Sequence, residues 1–267
     1  MSIKNISILG CGWYGLALAK ELIMLGYHVK GSTTTPEKLS TLEEEKIEAF
    51  LINFTADQID ADPAFFNSDV LFICIPPKRN SPELADYPDK IAAILKGINQ
   101  PATQVVLISS TSVYGDENRT VNELSETTPD TDSGKMVLAA EQILNEKRPD
   151  HSTVIRFSGL IGPNRNAGRF FAGKSDIPNG LAPVNLIHQT DAVGIAVKLL
   201  QTQAFGKIYN ACAPAHPSRT DFYTHAAQKA GLAIPEFIQE KKEWKLVESL
   251  NVPQYLDYQF QTDISVA

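Results

Sequence analysis

The sequence is poor in the residues that build metal sites and disulfide frameworks. It contains three cysteines and five histidines among 267 residues, and neither set follows the spacing of a zinc site or of an HExxH motif. Cys11, Cys74 and Cys212 are far apart and lie in apolar or glycine-rich stretches, which is typical of reduced, buried thiols. We therefore expect reduced cysteines and no bound metal.

Long apolar runs and an excess of positive charge are also missing. No apolar stretch approaches the roughly 18 residues that a membrane span requires, and the first residues show no charged-then-apolar leader with a small-residue cleavage site. A net charge of −7 gives no support for general nucleic-acid binding. These features predict a cytoplasmic protein that binds neither membranes nor nucleic acids.

The first half of the sequence contains a regular alternation of strand and helix patterns. With 43% hydrophobic and 21% charged residues, the composition is that of an ordinary globular protein. Strand patterns occupy residues 5–10, 27–32, 47–53, 69–77, 104–110 and 152–162, and helical patterns occupy 13–26, 36–45, 86–98 and 131–147. The alternation predicts an α/β fold, a Rossmann-type doubly wound parallel sheet.

The pattern changes after Gly162. Residues 163–188 are rich in glycine, proline and asparagine, which predicts a long loop. Further patterns predict helices at 191–202 and 219–230, a strand at 206–211 and a last helix near 242–250. We predict a dinucleotide-binding domain over 1–162 and a small C-terminal substrate lobe over 163–267, packed on the sheet and with some elements returning to the Rossmann core.

The segment GCGWYG (10–15) matches the GxGxxG pattern directly after the first strand and at the start of the first helix. In this pattern Gly10 makes the tight turn, Gly12 lets a pyrophosphate approach the backbone and Gly15 lets the helix pack closely. The helix N-terminus then presents unpaired N–H groups to the phosphates. We predict a dinucleotide site over these six residues, Trp13 and Tyr14 included; the alternative is a tight turn with a purely structural role.

The end of the second strand favours NADP(H) over NAD(H). An acidic side chain here would bind the ribose 2′-hydroxyl of NAD, but the segment KGSTTT (30–35) is followed by no carboxylate before Glu37. Three hydroxyl side chains are available to a 2′-phosphate, those of Ser32, Thr33 and Thr34, with Lys38 nearby as a counter-charge. No arginine completes the clamp, and the alternative is a polar turn that Thr34 or Thr35 caps.

Several segments outside the glycine loop are similar to one known family. They are ISSTSVYG (108–115), ETTP (126–129), RFSGLIGP (156–163), GRFFAGK (168–174), NLIHQTDAV (185–193) and YNACAPAHP (209–217). The chain resembles the extended short-chain dehydrogenase/reductase family, the nucleotide-sugar epimerases and dehydratases, and most of all its atypical YeeZ-type branch. The resemblance covers nearly the whole chain and implies an NAD(P)-binding Rossmann fold. The glycine loop departs from it, being one residue shorter than the family's usual GxxGxxG.

The resemblance also implies where the chemistry would lie. In the family a strand-end serine or threonine acts with a tyrosine, which transfers the proton, and with a lysine four residues later, which lowers the tyrosine pKa and holds the ribose. Ser110 falls at the serine position. Aligning Glu141 with the family's glutamate places Ser133 at the tyrosine position and Val137 at the lysine position, so the usual Tyr-xxx-Lys pair is missing.

No other register restores the pair. Using Lys135 as the lysine places Thr131 opposite the tyrosine, and Lys135 cannot serve from its own position because two residues turn a helical side chain by about 200°. Ser133 is a weak catalytic candidate, since a serine hydroxyl needs a neighbouring base. The alternative is that Ser133 caps a helix whose apolar side faces the core.

Other residues are candidates for proton transfer and for cofactor binding. Tyr114 is the nearest tyrosine to the expected nicotinamide and is a candidate replacement acid, although the family's VYG tyrosine usually packs. Pro76 and Pro77 end the fourth strand at the crevice where cofactors bind, and a strand stop explains them equally well.

The segment 163–175 holds three cations and no acid: Arg165, Arg169 and Lys174. Such a set is suited to a diphosphate or carboxylate of a substrate; the alternative is a solvated basic loop. His188 resembles a family position that usually packs beneath the active site, which implies a hydrogen-bonded structural residue. Asp191 is expected to cap the following helix.

These patterns support two functional hypotheses. The first is an NAD(P)-dependent oxidoreductase, epimerase or dehydratase that acts on a small anionic or sugar-nucleotide-like substrate, with Ser110 polarising it. The second is a non-catalytic NADP(H)-binding or sensor protein, which the Ser133 and Val137 positions favour. Dimers of the family pair the helices at 86–98 and 131–147, so a homodimer is compatible with the sequence, and a monomer core is equally compatible.

Overall fold

A parallel sheet of seven strands forms the centre of the protein. The structure, a computed structural model, describes residues 3–55 and 59–265. In chain order the strands are β1 (Asn5–Leu9), β2 (His28–Thr33), β3 (Glu48–Leu51), β4 (Val70–Ile73), β5 (Gln104–Ser110), β6 (Ser152–Phe157) and β7 (Ile208–Ala211). Their spatial order is β7-β6-β5-β4-β1-β2-β3, and every neighbouring pair is parallel. The predicted Rossmann-type α/β sheet is confirmed.

The strand order reverses next to β1. From β1 the chain builds outwards through β2 and β3, then crosses to β4 and continues to the opposite edge. Leu9 at the end of β1 lies beside Ile73 at the end of β4, so the residues that follow both strands meet at one edge of the sheet. In open α/β sheets ligands bind in the crevice at this reversal point. The glycine loop, which follows β1, therefore lies where a ligand is expected.

Helices cover both faces of this sheet. The described residues form α1 (Trp13–Met24), α2 (Leu39–Glu44), α3 (Tyr87–Lys96), α4 (Asp132–Lys147), α5 (Gln189–Thr202) and α6 (Arg219–Lys229), with 3-10 turns at Pro36–Lys38, Pro63–Phe66, Pro82–Leu84, Thr111–Val113 and Ala167–Arg169. The apolar sides of α1 and α5 pack on one face, and those of α3 and α4 on the other. Strands β4 and β6 are buried along their whole length, as expected when both faces of a parallel sheet are covered.

The length and the exposed surfaces of the helices concern the predictions on membranes and on a homodimer. Within the described part of the chain, no helix is long and apolar enough to cross a membrane. The large exposed apolar side chains of the described residues lie elsewhere than on α3 and α4, the helices that pair in dimers of the resembled family. The homodimer stays a prediction.

The irregular segment 163–188 is fastened to the residues that follow α6. Three of its backbone N–H groups donate to carbonyl groups within residues 233–238 over 2.9 to 3.2 Å, those of Gly173, Ile177 and Gly180. Gly168 packs so closely on α6 that a Cβ would lie 2.4 Å from the carbonyl oxygen of Ala226. The predicted loop is thus irregular but held along its length.

Residues beyond 162 contribute both to the sheet layers and to a separate lobe. Helix α5 packs beside α1, and β7 completes the sheet at its edge. Helix α6 instead contributes Phe222 and Ala226 to a third apolar cluster, which also includes Ile264. The division of the chain at residue 162 stays a prediction.

A short strand replaces the helix predicted near 242–250. Lys245–Val247 pairs in parallel with Arg119–Val121, and a helical turn follows at Val252–Leu256. Two other short pairs join Gly159–Ile161 to Leu186–His188 and Asn53–Phe54 to Ile59–Asp60. The helix prediction is wrong because a strand's preference depends on the partner it meets, and the partner here is distant in sequence.

Asp191 is not the cap of α5. His188 occupies the cap position, and its Nδ1 accepts a hydrogen bond from the backbone N–H two residues later at 3.2 Å. Asp191 is fully buried and accepts hydrogen bonds from the Tyr258 hydroxyl at 2.9 Å and from the N–H groups of Gln261 and Thr262 at 2.7 and 3.1 Å. A buried carboxylate needs such donors. The prediction that Asp191 caps α5 is therefore wrong: Asp191 instead binds residues 258–262 to the start of the helix. His188 has the hydrogen-bonded structural role expected.

Candidate functional site

The three glycines of residues 10–15 differ in what the fold requires of them. Gly10 has φ +98°, a left-handed conformation that favours glycine. At Gly15 a Cβ would lie 2.2 Å from the carbonyl oxygen of Gly10, so no side chain fits. Gly12 has an ordinary φ of −81°, and a Cβ on it would meet nothing within 4 Å. The fold itself requires glycine at positions 10 and 15. At Gly12 it does not, and open space lies next to the backbone there.

The helix that starts at this loop has no side-chain cap. Gly12 is the N-cap residue of α1, and the first turn contains no acidic residue. The N–H groups of a helix's first turn have no partners inside the helix, and the helix dipole places partial positive charge there. Open space, an uncapped helix end and positive potential together fit the pyrophosphate of a dinucleotide.

The structure separates Trp13 and Tyr14, two predicted cofactor residues. Tyr14 is buried, and its hydroxyl donates to the carbonyl oxygen of Ala192 at 3.3 Å, so only its backbone faces the loop. Trp13 is half-buried, and its Nε1 donates to the carbonyl oxygen of Pro163 at 2.8 Å. The guanidinium carbon of Arg165 lies 5.4 Å from the centroid of the Trp13 ring. Trp13 thus joins the glycine loop to the segment after β6.

The hydroxyl groups at the end of β2 are used differently from the prediction. Ser32 is buried, and its Oγ accepts a hydrogen bond from the Gly10 N–H at 2.9 Å. It therefore supports the glycine loop from beneath and is not placed to bind a 2′-phosphate. The Oγ1 of half-buried Thr33 accepts from the N–H of Thr35 at 3.1 Å, and Thr35 begins the next turn without a side-chain cap. Of the three predicted hydroxyls, only that of Thr34 is exposed.

Pro76 and Pro77 lie at the same sheet edge as the glycine loop. The preceding residue, Ile75, approaches the loop so closely that a Cβ on Gly10 would lie 2.9 Å from its Cγ2. Tyr87 of α3 donates its hydroxyl to the Ile75 carbonyl oxygen at 3.1 Å, which fixes the chain here. Pro76 is exposed and Pro77 is half-buried, so the position suits the predicted contact with a cofactor.

The cysteines near this edge are not nucleophiles. Burial raises the pKa of the Cys11 thiol to about 12 and raises the pKa of Cys74 well above its ordinary value. Because the thiolate is the reactive form, both side chains act as packing groups. All three cysteines are free, and Cys212 is buried while Cys11 and Cys74 are partly buried. Within the described residues no group of three or more His, Cys, Asp or Glu side chains is arranged to hold a metal ion.

The start of α4 differs from the prediction in its cap. Thr131, not Ser133, caps the helix, since its Oγ1 accepts a hydrogen bond from the backbone N–H three residues later at 3.1 Å. The Ser133 Oγ is buried and has no hydrogen-bond partner among the described residues. Val137 is 2% exposed and packs in the apolar layer, and exposed Lys135 pairs with Asp132 at 3.2 Å. A buried valine and a buried serine thus occupy the two positions that the alignment on Glu141 assigns to the family's lysine and tyrosine; this assignment stays a prediction.

Ser110 ends β5 and retains a proton that it can donate. Its Oγ accepts a hydrogen bond from the Ser112 N–H at 3.2 Å, and the described residues offer its own proton no acceptor. The side chain is half-buried at the carboxyl edge of the sheet. This geometry suits a bond to a substrate oxygen.

Tyr114 is enclosed by the protein and is not placed to act as a replacement acid. Its exposure is 0%, and its hydroxyl accepts from Nη1 of Arg156 at 2.6 Å and donates to Oδ1 of Asn210 at 3.1 Å. Burial raises the pKa of this hydroxyl above its ordinary value. With both hydrogen-bonding directions used inside the core, no ligand reaches the group, and the packing interpretation is favoured.

Sequence reasoning missed the buried charge network behind Tyr114. Arg156 on β6 and Glu141 on α4 are joined by three hydrogen bonds: Nε donates to Oε1 at 3.0 Å and to Oε2 at 3.3 Å, and Nη2 donates to Oε2 at 2.7 Å. Both side chains are buried. The hydroxyl of Ser109, the neighbour of Ser110 on β5, also donates to Glu141. A carboxylate on the buried face of a helix was the available signal, because such groups are seldom buried without a partner. The network ties α4 to the strand that carries Ser110.

The three cations of the segment 163–175 are held in different surroundings. Arg165 stacks on Trp13, as described above. Lys174 lies 5.7 Å from the ring centroid of Phe171, and Arg169 is exposed in the 3-10 turn that contacts α6. No contact among the described residues joins the three side chains, and their predicted binding of a substrate anion stays a prediction.

The amino-terminal part of the chain matches one family model. Residues 5–112 match the model described as NADP oxidoreductase, coenzyme F420-dependent. This range includes the glycine loop and strands β1 to β5.

Solved structures with a similar fold cover nearly the whole chain. A functionally unknown conserved protein from Silicibacter pomeroyi is 22% identical, with a TM-score of 0.77 over 98% of this chain and 96% of that one. UDP-glucuronic acid 4-epimerase from Bacillus cereus, solved in complex with NAD, is 17% identical, with a TM-score of 0.77 over 98% of this chain and 95% of that one. At these identities the likeness shows the fold.

A curated relative is similar enough in sequence to show the family. Protein YeeZ from Escherichia coli strain K12 is 34% identical, and the alignment covers 97% of this chain and 96% of YeeZ. The chain therefore belongs to the YeeZ family and has the fold of the extended short-chain dehydrogenases/reductases that its sequence resembles.

Proposed function

We propose that this protein binds a nicotinamide dinucleotide at the carboxyl ends of β1, β2 and β4. The observation that carries the proposal is the open space at Gly12. Neither its φ nor its neighbours require glycine, whereas a pyrophosphate lying against the backbone does. The uncapped start of α1 would supply the N–H donors for that pyrophosphate.

NADP(H) is the cofactor favoured over NAD(H). Strand β2 ends without the carboxylate that would bind a ribose 2′-hydroxyl. The exposed side chains of Thr34 and Lys38 are left to meet a 2′-phosphate. The matched model of NADP oxidoreductases supports the same preference.

The leading proposal for activity is an oxidoreductase, epimerase or dehydratase that acts on a small anionic substrate. The nicotinamide, when bound, supplies or accepts a hydride. Ser110 would hold the substrate oxygen through its free proton, and exposed Arg169 and Lys174 would supply positive charge for the substrate anion. A group other than Ser133 and Val137 would then donate or accept the proton that the reaction transfers.

A second proposal, a non-catalytic protein that binds NADP(H), is favoured by the start of α4. Among the described residues no group forms a hydrogen bond with the Ser133 hydroxyl, which would need a base to act in proton transfer, and Val137 is part of the core. In this case the dinucleotide would act as a ligand that sets the conformation of the segment 163–175, which contacts the glycine loop through Trp13.

Calorimetric titration with NADPH and NADH in parallel tests the cofactor proposal. We expect tighter binding of NADPH. Gly12→Val should abolish binding because its side chain fills the open space, in which a Cβ meets nothing within 4 Å. Thermal melting verifies that the variant folds. Glu146→Val, an exposed change near the far end of α4, is the matched control and should bind as the wild type does. Wild-type affinity in Gly12→Val would make the loop a structural turn and remove the proposal.

Turnover separates the two proposed functions. Oxidation or reduction of any member of a panel of carbonyl compounds and sugar nucleotides supports the enzyme, and Ser110→Ala should then lower kcat with little change in NADPH affinity. Binding without turnover, together with altered protease cleavage between residues 163 and 185, supports the non-catalytic protein. An activity that Ser110→Ala leaves unchanged would contradict the role assigned to Ser110.

A further inference from the structure

We propose that Arg165 belongs to the dinucleotide site and binds the pyrophosphate, with Trp13 as the platform that positions its guanidinium. This inference rests on the proposed function and adds to it a charged ligand that the glycine pattern does not contain. It also moves Arg165 from the substrate, where its sequence neighbourhood placed it, to the cofactor.

The first observation is the position of the guanidinium. Trp13 is the first residue of α1 and directly follows Gly12, the glycine with open space above its backbone. The guanidinium carbon of Arg165 lies 5.4 Å from the Trp13 ring centroid, within the range of a cation–π contact. An arginine from the segment after β6 is thereby held beside the start of α1.

The second observation is that this contact is fixed from several directions. Trp13 donates from Nε1 to the Pro163 carbonyl oxygen at 2.8 Å, and Gln189 of α5 donates from Nε2 to the Trp13 carbonyl oxygen at 2.8 Å. The Arg165 N–H donates to the carbonyl oxygen of Gly162 at 2.9 Å, which closes a tight turn on the tryptophan. A side chain whose backbone is held in this way loses less entropy when it binds.

The third observation is the lack of any neutralising group. Within the described residues Arg165 forms no ion pair, whereas buried Arg156 is paired with Glu141. The segment 163–175 contains no acid, and the first turn of α1 contains none either. The full charge of the guanidinium and the partial positive charge at the uncapped start of α1 therefore add up at one place, in a chain of net charge −7.

These three observations point to a phosphate group rather than to a carboxylate elsewhere in the lobe. Guanidinium groups bind phosphate oxygens through two parallel hydrogen bonds, and the pyrophosphate is the part of a dinucleotide that lies at a helix start of this kind. Lys174, by contrast, is placed over Phe171 in the lobe and is not tied to the glycine loop by any described contact.

The experiment compares Arg165→Gln with Lys241→Gln. Lys241 is an exposed cation that lies 3.8 Å from the ring centroid of Trp244, so the control removes the same kind of contact from the chain's other tryptophan. Each protein is titrated with NADPH, with ADP-ribose and with adenosine 2′-monophosphate, which carries the adenosine end without the pyrophosphate. Thermal melting verifies that each variant is folded.

We expect Arg165→Gln to weaken NADPH and ADP-ribose by about 10-fold or more, as the loss of a charge-assisted hydrogen bond implies. Adenosine 2′-monophosphate should bind Arg165→Gln as it binds the wild type, and Lys241→Gln should bind all three ligands normally. Trp13→Phe should weaken NADPH by a smaller factor, because the ring is retained but the bond to Pro163 is lost.

Two results would overturn the inference while leaving the proposed function intact. One is wild-type affinity of Arg165→Gln for NADPH. The other is an equal loss for all three ligands, which would mean that Arg165 contributes general positive charge instead of binding the pyrophosphate. Failure of the wild type to bind NADPH or NADH is a different outcome, because it removes the proposed function itself.

Discussion

Helices α1 and α4 both begin at the edge where the parallel strands end, yet their first turns are built differently. Helix α1 begins on Gly12, which has no side chain to cap it, and its first turn has no acid. Helix α4 begins on Thr131, whose hydroxyl caps the helix, and Asp132 follows in the first turn. The N–H groups and positive charge of α1 are left for a ligand, whereas those of α4 are partly satisfied within the protein. The comparison supports the proposal that α1 binds a cofactor, whereas the start of α4 contributes to folding.

The largest expected effect tests whether α4 serves folding. Arg156→Leu leaves Glu141 buried without its partner and should lower the free energy of unfolding by about 3–5 kcal/mol. Replacing both residues by leucine should recover much of this loss, because no unpaired charge stays in the core. Urea unfolding measures both variants. A loss of NADPH affinity without a loss of stability would instead place the network in the ligand site and break the comparison.

The next effect separates the glycines of the α1 loop. Gly15→Ala should lower the free energy of unfolding by about 3 kcal/mol, because its Cβ would overlap the carbonyl oxygen of Gly10. Gly12→Ala should stay within about 1 kcal/mol of the wild type, since its Cβ meets no neighbour. Chemical denaturation measures both. Equal losses would show that Gly12 is needed for folding, and its open space would then no longer indicate a ligand.

A smaller effect sharpens the cofactor assignment. Thr34→Glu places a carboxylate beside the expected 2′-phosphate, so NADPH should bind about 10-fold more weakly, which corresponds to about 1.4 kcal/mol. NADH, which lacks that phosphate, should bind as tightly as before or more tightly. Titration of both nucleotides provides the test. The exposed substitution Glu43→Gln on α2 is the control, and equal losses for NADPH and NADH would contradict the NADP(H) preference.

The smallest effect concerns the first turn of α4. Thr131→Ala removes the cap and should lower the free energy of unfolding by about 1 kcal/mol. Ser133→Ala removes a buried hydroxyl without a partner and should change it by less than about 0.5 kcal/mol or raise it. Thermal and urea unfolding compare the two. If Ser133→Ala also abolished a detected turnover, Ser133 would be catalytic and α4 would have kept a chemical role.

Local patterns were sufficient to predict the sheet and the position of the glycine loop. Strand β5 was predicted over 104–110 and has those bounds. A short, continuous apolar run between two helical patterns is typical of a buried parallel strand. The loop after β1 was likewise recognisable from glycine spacing alone. In both cases the determining residues are neighbours in sequence.

The details that prediction missed depend on residues that are distant in sequence. The Ser32 hydroxyl accepts a hydrogen bond from the Gly10 N–H, in the loop after the neighbouring strand β1. The Tyr114 hydroxyl is hydrogen-bonded to Arg156 and Asn210, which lie on two other strands. Neither partner can be inferred from the segment itself. The choice between Thr131 and Ser133 as cap is of another kind, since both are good cap residues two positions apart and helix ends are the least certain part of a helix pattern.

The burial of Asp191 relates the structure to the order in which the chain is made. Its donors, Tyr258 and the backbone of Gln261 and Thr262, lie 67 to 71 residues later in the chain and are therefore synthesised well after α5. Until they arrive, the Asp191 carboxylate lacks these three donors, and burying it in that state is costly. The central strand β1 is therefore synthesised long before residues 258–262, whose donors complete the burial of Asp191 at the start of α5.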